Sequence, residues 1–196
     1  MSDARVRIAV LASGSGSNAE ILCRYFADSN AVEVVLVGCN RPEEQAGVYA
    51  RLRPLGIAVE RVRAVELSDG SAARRFDALG IQGIALAGFL VHVPESFIAH
   101  YGGRILNVHP SLLPAFGGKG MFGMHVHEAV HASGAQETGM TVHRVNGEYD
   151  CGEILFQART AVEPGDTPET IAAKVLELEH RYYPEVVARE TARWHT

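Results

Sequence analysis

The chain has 196 residues, 47% of them apolar, which is enough to close one hydrophobic core around a single domain. Its formal net charge of −5 argues against a nucleic-acid or anionic-membrane partner, and no apolar run approaches the roughly 20 residues of a membrane helix. Cys23, Cys39 and Cys151 are odd in number and widely spaced, so they read as free thiols; with no signal-peptide pattern at the start, a cytoplasmic protein is expected.

Residues 6–11 form a short apolar run rich in β-branched side chains, which predicts a buried strand. Ala12-Ser13-Gly14-Ser15-Gly16-Ser17-Asn18 follows, and then Ile21, Leu22, Tyr25 and Phe26 recur at helical spacing. Strand, Gly/Ser loop and helix in that order make a phosphate site. Glycine permits a tight turn, and a helix N-terminus presents unpaired N–H groups at its positive end. The third glycine position of a dinucleotide fingerprint holds Ala19, and the next strand runs into Asn40-Arg41-Pro42 with no clear terminal acid. A monophosphate ester therefore fits better than a nicotinamide dinucleotide.

The β–α alternation continues. Residues 32–37 are almost continuously apolar, as in a parallel strand covered on both faces. Residues 43–54 read as one helix, 57–62 as a third strand and 71–79 as a short helix. Residues 83–87 read as a fourth strand, 94–100 as a helix opened by Pro94, and 104–107 as a fifth strand. This rhythm predicts an α/β fold with a mostly parallel central sheet flanked by helices. Ligands of such sheets sit at the carboxyl ends of the strands, where residues 13–18, 89–93 and 107–114 emerge.

The glycine-rich loop 115–123 reads as a connector or, more sharply, a mobile lid. A helix is predicted over 125–133. Strands over 139–145 and 154–162 flank the Asn146-Gly147 turn, giving an antiparallel C-terminal portion. Asp166 or Thr167 should cap the last helix, whose apolar stripe is Ile171, Val175, Leu178 and Tyr182; Pro184 should kink or interrupt it.

The chemistry centres on Asn107 and His109. On an extended segment, residues two apart share a face, so an amide donor and an imidazole reach into one space. That pair suits acyl transfer, in which an oxyanion forms and a proton must move. Asp150, in the turn after residue 145, is either a turn former or the acid that orients a catalytic histidine. His143 is a core histidine or a site residue, and Glu179 reads locally as a solvated charge. His127-Glu128-Ala129-Val130-His131 matches the zinc-hydrolase pattern H-E-x-x-H, yet Glu137 stands where the extended form needs a third histidine. A histidine-rich, partly exposed helix is the better reading.

Asn107-Val108-His109-Pro110-Ser111-Leu112-Leu113-Pro114 resembles the catalytic segment of the phosphoribosylglycinamide formyltransferase family, and Leu86-Ala87-Gly88-Phe89 resembles its folate site. Gly14-Ser15-Gly16-Ser17-Asn18, Gly139-Met140-Thr141-Val142-His143 and Asp150-x-Gly152 extend the likeness over nearly the whole chain. The resemblance implies one Rossmann-like formyltransferase domain over residues 1–196, with a phosphate-binding N-terminal half and a folate-binding C-terminal half. It implies transfer of the formyl group of 10-formyltetrahydrofolate to the amine of glycinamide ribonucleotide in purine biosynthesis. It makes Asn107 the oxyanion donor, His109 the proton shuttle and Asp150 the residue that holds His109. Gly16, Ser17, Asn18 and Glu179 would bind the ribonucleotide. Leu90, Val91, His92, Val93, Asn107, Asn146, Gly147, Glu148, Tyr149 and Asp150 would form the folate pocket, with His143 beside it. The folate is a co-substrate, no metal is implied, and the partners are small molecules bound by a monomer or homodimer.

Two departures stand out. The segment over 68–82 is shorter than the family's and leaves no counterpart for its folate-tail arginine, for which Arg74 or Arg75 would have to substitute. The loop 117–123 is longer than in the commonest members and resembles a subgroup with Gly-Gly-Lys-Gly-Met. The alternatives are formyl transfer to another amine, deformylation of the folate by water and, remotely, zinc hydrolysis through His127 and His131.

Overall fold

The computed structural model describes residues 5–194. The expected leaderless start rests partly on residues 1–4, which lie outside the described residues. Seven strands form one sheet in the order β3-β2-β1-β4-β5-β6-β7. β1 (Val6–Ala12), β2 (Val32–Cys39), β3 (Val59–Arg61), β4 (Gly83–Leu86) and β5 (Ile105–His109) run parallel. β6 (Glu137–Arg144) and β7 (Ile154–Ala161) complete the sheet antiparallel. Among the described residues, no helix is long and apolar enough to cross a membrane.

Alternation along β1 explains the two-sided core. Ile8 and Val10 point into one cluster, with Leu22 of α1 (Ser17–Phe26) and Val175 and Tyr183 of α7 (Pro168–Thr191). Ala9 and Leu11 point into the other, with Phe76 of α4 (Ser71–Ala78), Phe97 of α5 (Glu95–Tyr101), Ile84 and Ile105. Both faces are covered, so β1 needs an unbroken apolar sequence. The strand order turns back between β1 and β4, and there the carboxyl ends open a crevice.

Four details differ from the sequence expectation. Residues 43–54 are not one helix: a 3₁₀ turn (Glu43–Gln45), an extended Ala46, α2 (Val48–Leu52) and a second 3₁₀ turn (Arg53–Leu55) replace it. The break lets Gly47 and Val48 dock on the Gly/Ser loop, where the Val48 N–H donates to the Gly14 carbonyl at 3.1 Å. A short helix, α3 (Ala64–Ser68), occupies a stretch with no predicted element. β5 runs on to His109 because β6 pairs with it through His109 and Thr141. Finally, Pro184 does not interrupt α7, a helix of 24 residues. Its neighbours Tyr183, Val186 and Val187 are buried, and that packing outweighs one missing backbone bond. Thr167 caps this helix, accepting from the Thr170 N–H while the Thr170 hydroxyl accepts from the Thr167 N–H. The last described helix between β5 and β6 is α6 (Met124–Ser133).

Tyr183 is fully buried, and its hydroxyl donates to the Leu86 carbonyl at 2.8 Å, with the Leu106 carbonyl at 3.3 Å. It therefore pins α7 to the carboxyl end of β4 and to the neighbouring β5. Tyr183→Phe leaves those carbonyls without this donor and is expected to destabilise the fold by about 1–2 kcal/mol. Urea denaturation monitored by circular dichroism checks this; an unchanged midpoint would contradict it.

Candidate active site

A cleft of about 510 Å³ opens at the carboxyl ends of β1, β4 and β5. Gly16, Ser17, Asn18, Leu90, Val91, His92, Val93, Asn107, His109, His143, Asn146, Glu148, Tyr149, Asp150 and Glu179 all line it. Gly147 does not line it; its carbonyl lies 3.4 Å from His92 Nε2 at the rim.

At one end, Gly14–Asn18 bends into the first turn of α1. Gly16 has φ +76°, and a Cβ there would lie 2.5 Å from Val48 Cγ2. Only glycine fits, for both conformation and space. The Asn18 amide donates to Glu179 Oε2 at 2.7 Å and so ties α1 to α7. Glu179 is 7% exposed, not a solvated charge. Burial pushes its carboxyl up to about 7, against the pull of the Asn18 hydrogen bond. Asn18 Oδ1 is buried without a partner.

At the centre stand Asn107, His109, His143 and Asp150. The antiparallel register sets Asn107 opposite His143, and their side chains meet at 3.0 Å. His143 Nδ1 lies 2.9 Å from the Arg144 carbonyl, which can only accept, so Nδ1 carries the proton. Nε2 therefore accepts from the Asn107 amide, which retains a second hydrogen for a ligand. The same logic settles His109. Its Nε2 donates to the Phe116 carbonyl at 2.9 Å, so Nδ1 is the basic nitrogen, 3.5 Å from Asp150 Oδ1. His109 is 4% exposed, and burial pushes its pKa below 6.5 although the Asp150 carboxylate pulls the other way. At rest the imidazole is thus biased toward the free-base form, with Nδ1 able to accept a proton.

Asp150 has φ +55°, an uncommon backbone conformation for a residue with a side chain. Its Oδ2 accepts from the Gly118 N–H at 2.9 Å, and its Oδ1 lies 3.6 Å from His143 Nε2. Burial raises its pKa, but the neighbouring His143 and His109 imidazoles and the Gly118 bond outweigh that, leaving the pKa below the ordinary value. The loop 115–123 is thus tied to the site at two points, Phe116 to His109 and Gly118 to Asp150.

At the other end the lining turns apolar. Leu90, Phe122, Met124, Tyr149 and Leu176 line the cleft, yet each stays at least 36% exposed, enough to offer a planar ligand a large apolar rim. His92 packs edge-on against Tyr149, with ring centroids 4.9 Å apart. Arg74 and Arg75 are not here. Both sit on α4, where Arg74 reaches the Asp69 carbonyl and Arg75 lies 3.6 Å from Glu66.

Sequence reasoning missed three contributors. Ser13 is fully buried; its hydroxyl donates to Asn40 Oδ1 at 2.5 Å and accepts from the Leu90 N–H at 2.8 Å, joining three strand ends. Thr141 donates to the Ser111 carbonyl at 2.6 Å and accepts from the Leu113 N–H at 3.0 Å, which shapes the turn after His109. His127 is buried on the cleft wall with its Nδ1 unpartnered, whereas His131 is exposed, so the two imidazoles share no enclosed space. A serine ending a buried strand was the one local signal available for Ser13.

Residues 6–187 match the family model described as formyl transferase. The chain is 41% identical over 198 residues to the chloroplastic phosphoribosylglycinamide formyltransferase of Arabidopsis thaliana, covering 97% of this chain and 68% of that protein. It is 38% identical to the corresponding protein of Vigna unguiculata, covering 93% of this chain and 60% of that protein. The crystal structure of phosphoribosylglycinamide formyltransferase from Brucella melitensis superposes with a TM-score of 0.83 at 38% identity, covering 96% of each chain.

Glu179 generates a stability prediction. The native state keeps its proton up to about pH 7, whereas an unfolded glutamate releases it near 4.5. The folded chain binds more protons across that window, so this group's contribution to stability falls as pH rises through it. Burial lowers the pKa of His109 and His127, which acts with the opposite sign, so the comparison must be with a variant. Glu179→Gln is expected to gain stability relative to the parent between pH 5 and pH 8. Parallel Tm-versus-pH curves for the two proteins would contradict the burial argument.

Proposed function

The chain belongs to the formyl transferase family, and on that premise we propose that it transfers the formyl group of 10-formyltetrahydrofolate to the amine of glycinamide ribonucleotide. The observation that carries the reading is a convergence. An amide, a basic imidazole nitrogen and a charged carboxylate meet between an apolar rim and a glycine-shaped helix N-terminus. The acceptor phosphate binds Gly16, Ser17 and Asn18, and Glu179 holds the sugar end. The folate ring lies along Leu90, Val91, His92, Val93, Asn146 and residues 148–150. The N-terminal half thus supplies the phosphate site and the C-terminal half most of the folate site, apart from the exchange of Glu179 for Leu90–Val93 across the cleft.

The acceptor amine attacks the formyl carbon, and the carbonyl electrons move onto oxygen. The free Asn107 hydrogen meets that oxyanion. His109 Nδ1 takes a proton from the new ammonium, and the Asp150 carboxylate stabilises the imidazolium. The bond to the folate nitrogen then breaks, the carbonyl reforms, and His109 returns the proton to the departing nitrogen. A neutral resting His109 suits this sequence better than a cationic one, because it must accept before it donates. The three unpaired cysteines support a reducing compartment, here the cytoplasm.

A coupled assay with 10-formyltetrahydrofolate tests the assignment, with glycinamide ribonucleotide, other amines or water as acceptor. Turnover is expected with the ribonucleotide, and formate release in water alone would make the protein a deformylase. Asn107→Ala and His109→Ala are expected to lower kcat by about a hundredfold or more while leaving the circular dichroism spectrum intact. Near-parental turnover in either would sink the mechanism. Asp150→Asn removes the charge that supports His109⁺, so the low-pH limb of kcat should move to lower pH; an unmoved limb removes its assigned role.

A further inference from the structure

Arg51 lies outside the cleft, on α2, and no role in the site has been assigned to it. Its Nε donates to the Ser15 carbonyl at 2.8 Å, and its Nη1 to Glu20 Oε2 at 2.9 Å. Two further bonds complete a pattern. The Gly14 carbonyl accepts from the Val48 N–H at 3.1 Å, and the Gly16 carbonyl from the Glu20 N–H at 2.9 Å. Three consecutive carbonyls of the Gly/Ser loop are therefore committed, two of them to α2 and one to α1.

A trans peptide is planar, and its N–H points opposite to its C=O. Pinning the carbonyls of Gly14, Ser15 and Gly16 consequently orients the N–H groups of Ser15, Gly16 and Ser17. Those of Ser15 and Gly16 point away from α2. Residues 14–18 line the cleft, whereas no residue of α2 does. The loop also rests directly on α2: a Cβ on Gly47 would sit 3.4 Å from Ser15 Cα, and Val48 fills the space beside Gly16. The glycines make this conformation accessible, and α2 selects it.

We infer that Arg51 is a positioning residue for the acceptor phosphate: by holding the Ser15 carbonyl from behind, it presets the loop N–H groups toward the cleft. It acts through the backbone and needs no contact with the ligand. Its positive charge also offsets the Glu20 carboxylate, which stands in the first turn of the helix that receives the anion. This assignment rests on the proposed phosphate-bearing acceptor. The competing account is an exposed Arg51–Glu20 ion pair of little consequence.

The test compares the parent protein with Arg51→Leu and Glu20→Gln. For Arg51→Leu the KM for glycinamide ribonucleotide is expected to rise about tenfold, as for loss of one charge-assisted hydrogen bond, with kcat and the folate KM within twofold. The same variant should handle the phosphate-free acceptor, glycinamide riboside, as the parent does. Glu20→Gln breaks the ion pair but leaves the Ser15 contact, so it should not raise the ribonucleotide KM. An unchanged KM in Arg51→Leu, an equal loss with the phosphate-free acceptor, or an equal rise in Glu20→Gln overturns the inference. Calorimetric titration with ribose 5-phosphate separates it from the acceptor assignment. A parent protein that binds ribose 5-phosphate but does not formylate the ribonucleotide refutes only the acceptor. Arg51→Leu that binds ribose 5-phosphate as the parent does, or a parent that does not bind it, refutes the role of Arg51.

Discussion

The antiparallel pairing of β5 with β6 is the constraint on which the catalytic wall depends. It puts Asn107 opposite His143 and lets the amide and the imidazole satisfy each other across the ladder. The β6–β7 connection leaves opposite Leu106 and folds back far enough to bring Asp150 Oδ1 to 3.5 Å from His109 Nδ1.

That return requires backbones to pass very close together. A Cβ on Gly152 would lie 1.7 Å from the Arg144 carbonyl oxygen, and one on Gly139 would lie 1.9 Å from that of Ala158. These glycines are needed for clearance, and the clearance is what brings the turn under β6. Asp150 takes the compensating strain at φ +55°. The Gly118 N–H holds its carboxylate in place, with the imidazoles of His109 and His143 at 3.5 and 3.6 Å.

Two carboxylates in one cleft have opposite characters for physical reasons. Asp150 is half-buried, accepts from the Gly118 N–H and stands beside two imidazoles, and its pKa stays below the ordinary value; Glu179 is buried with a single amide donor, and burial pushes its pKa up to about 7. Similarly, His109 is kept basic at Nδ1 because the other nitrogen is committed to the Phe116 carbonyl. Charge state at this site follows from how deeply each carboxyl is buried and which groups stand beside it.

Much of this was legible in the chain. Period-two and period-3.6 patterns located most strands and helices, a Gly/Ser loop between strand and helix marked one end of the cleft, and Asn107 and His109 share a face because they lie two apart on a strand. These are local signals, carried by a few consecutive residues. Tertiary structure alone decided the rest. Residues 43–54 broke into short turns because Gly47 and Val48 had to meet a loop some thirty residues away. Pro184 stayed inside a helix because buried neighbours hold both sides of it. Glu179 became a site residue because α7 lies across α1 and presents it to Asn18. In each case a packing contact between distant segments overrode a local preference, and no window of sequence contains both partners.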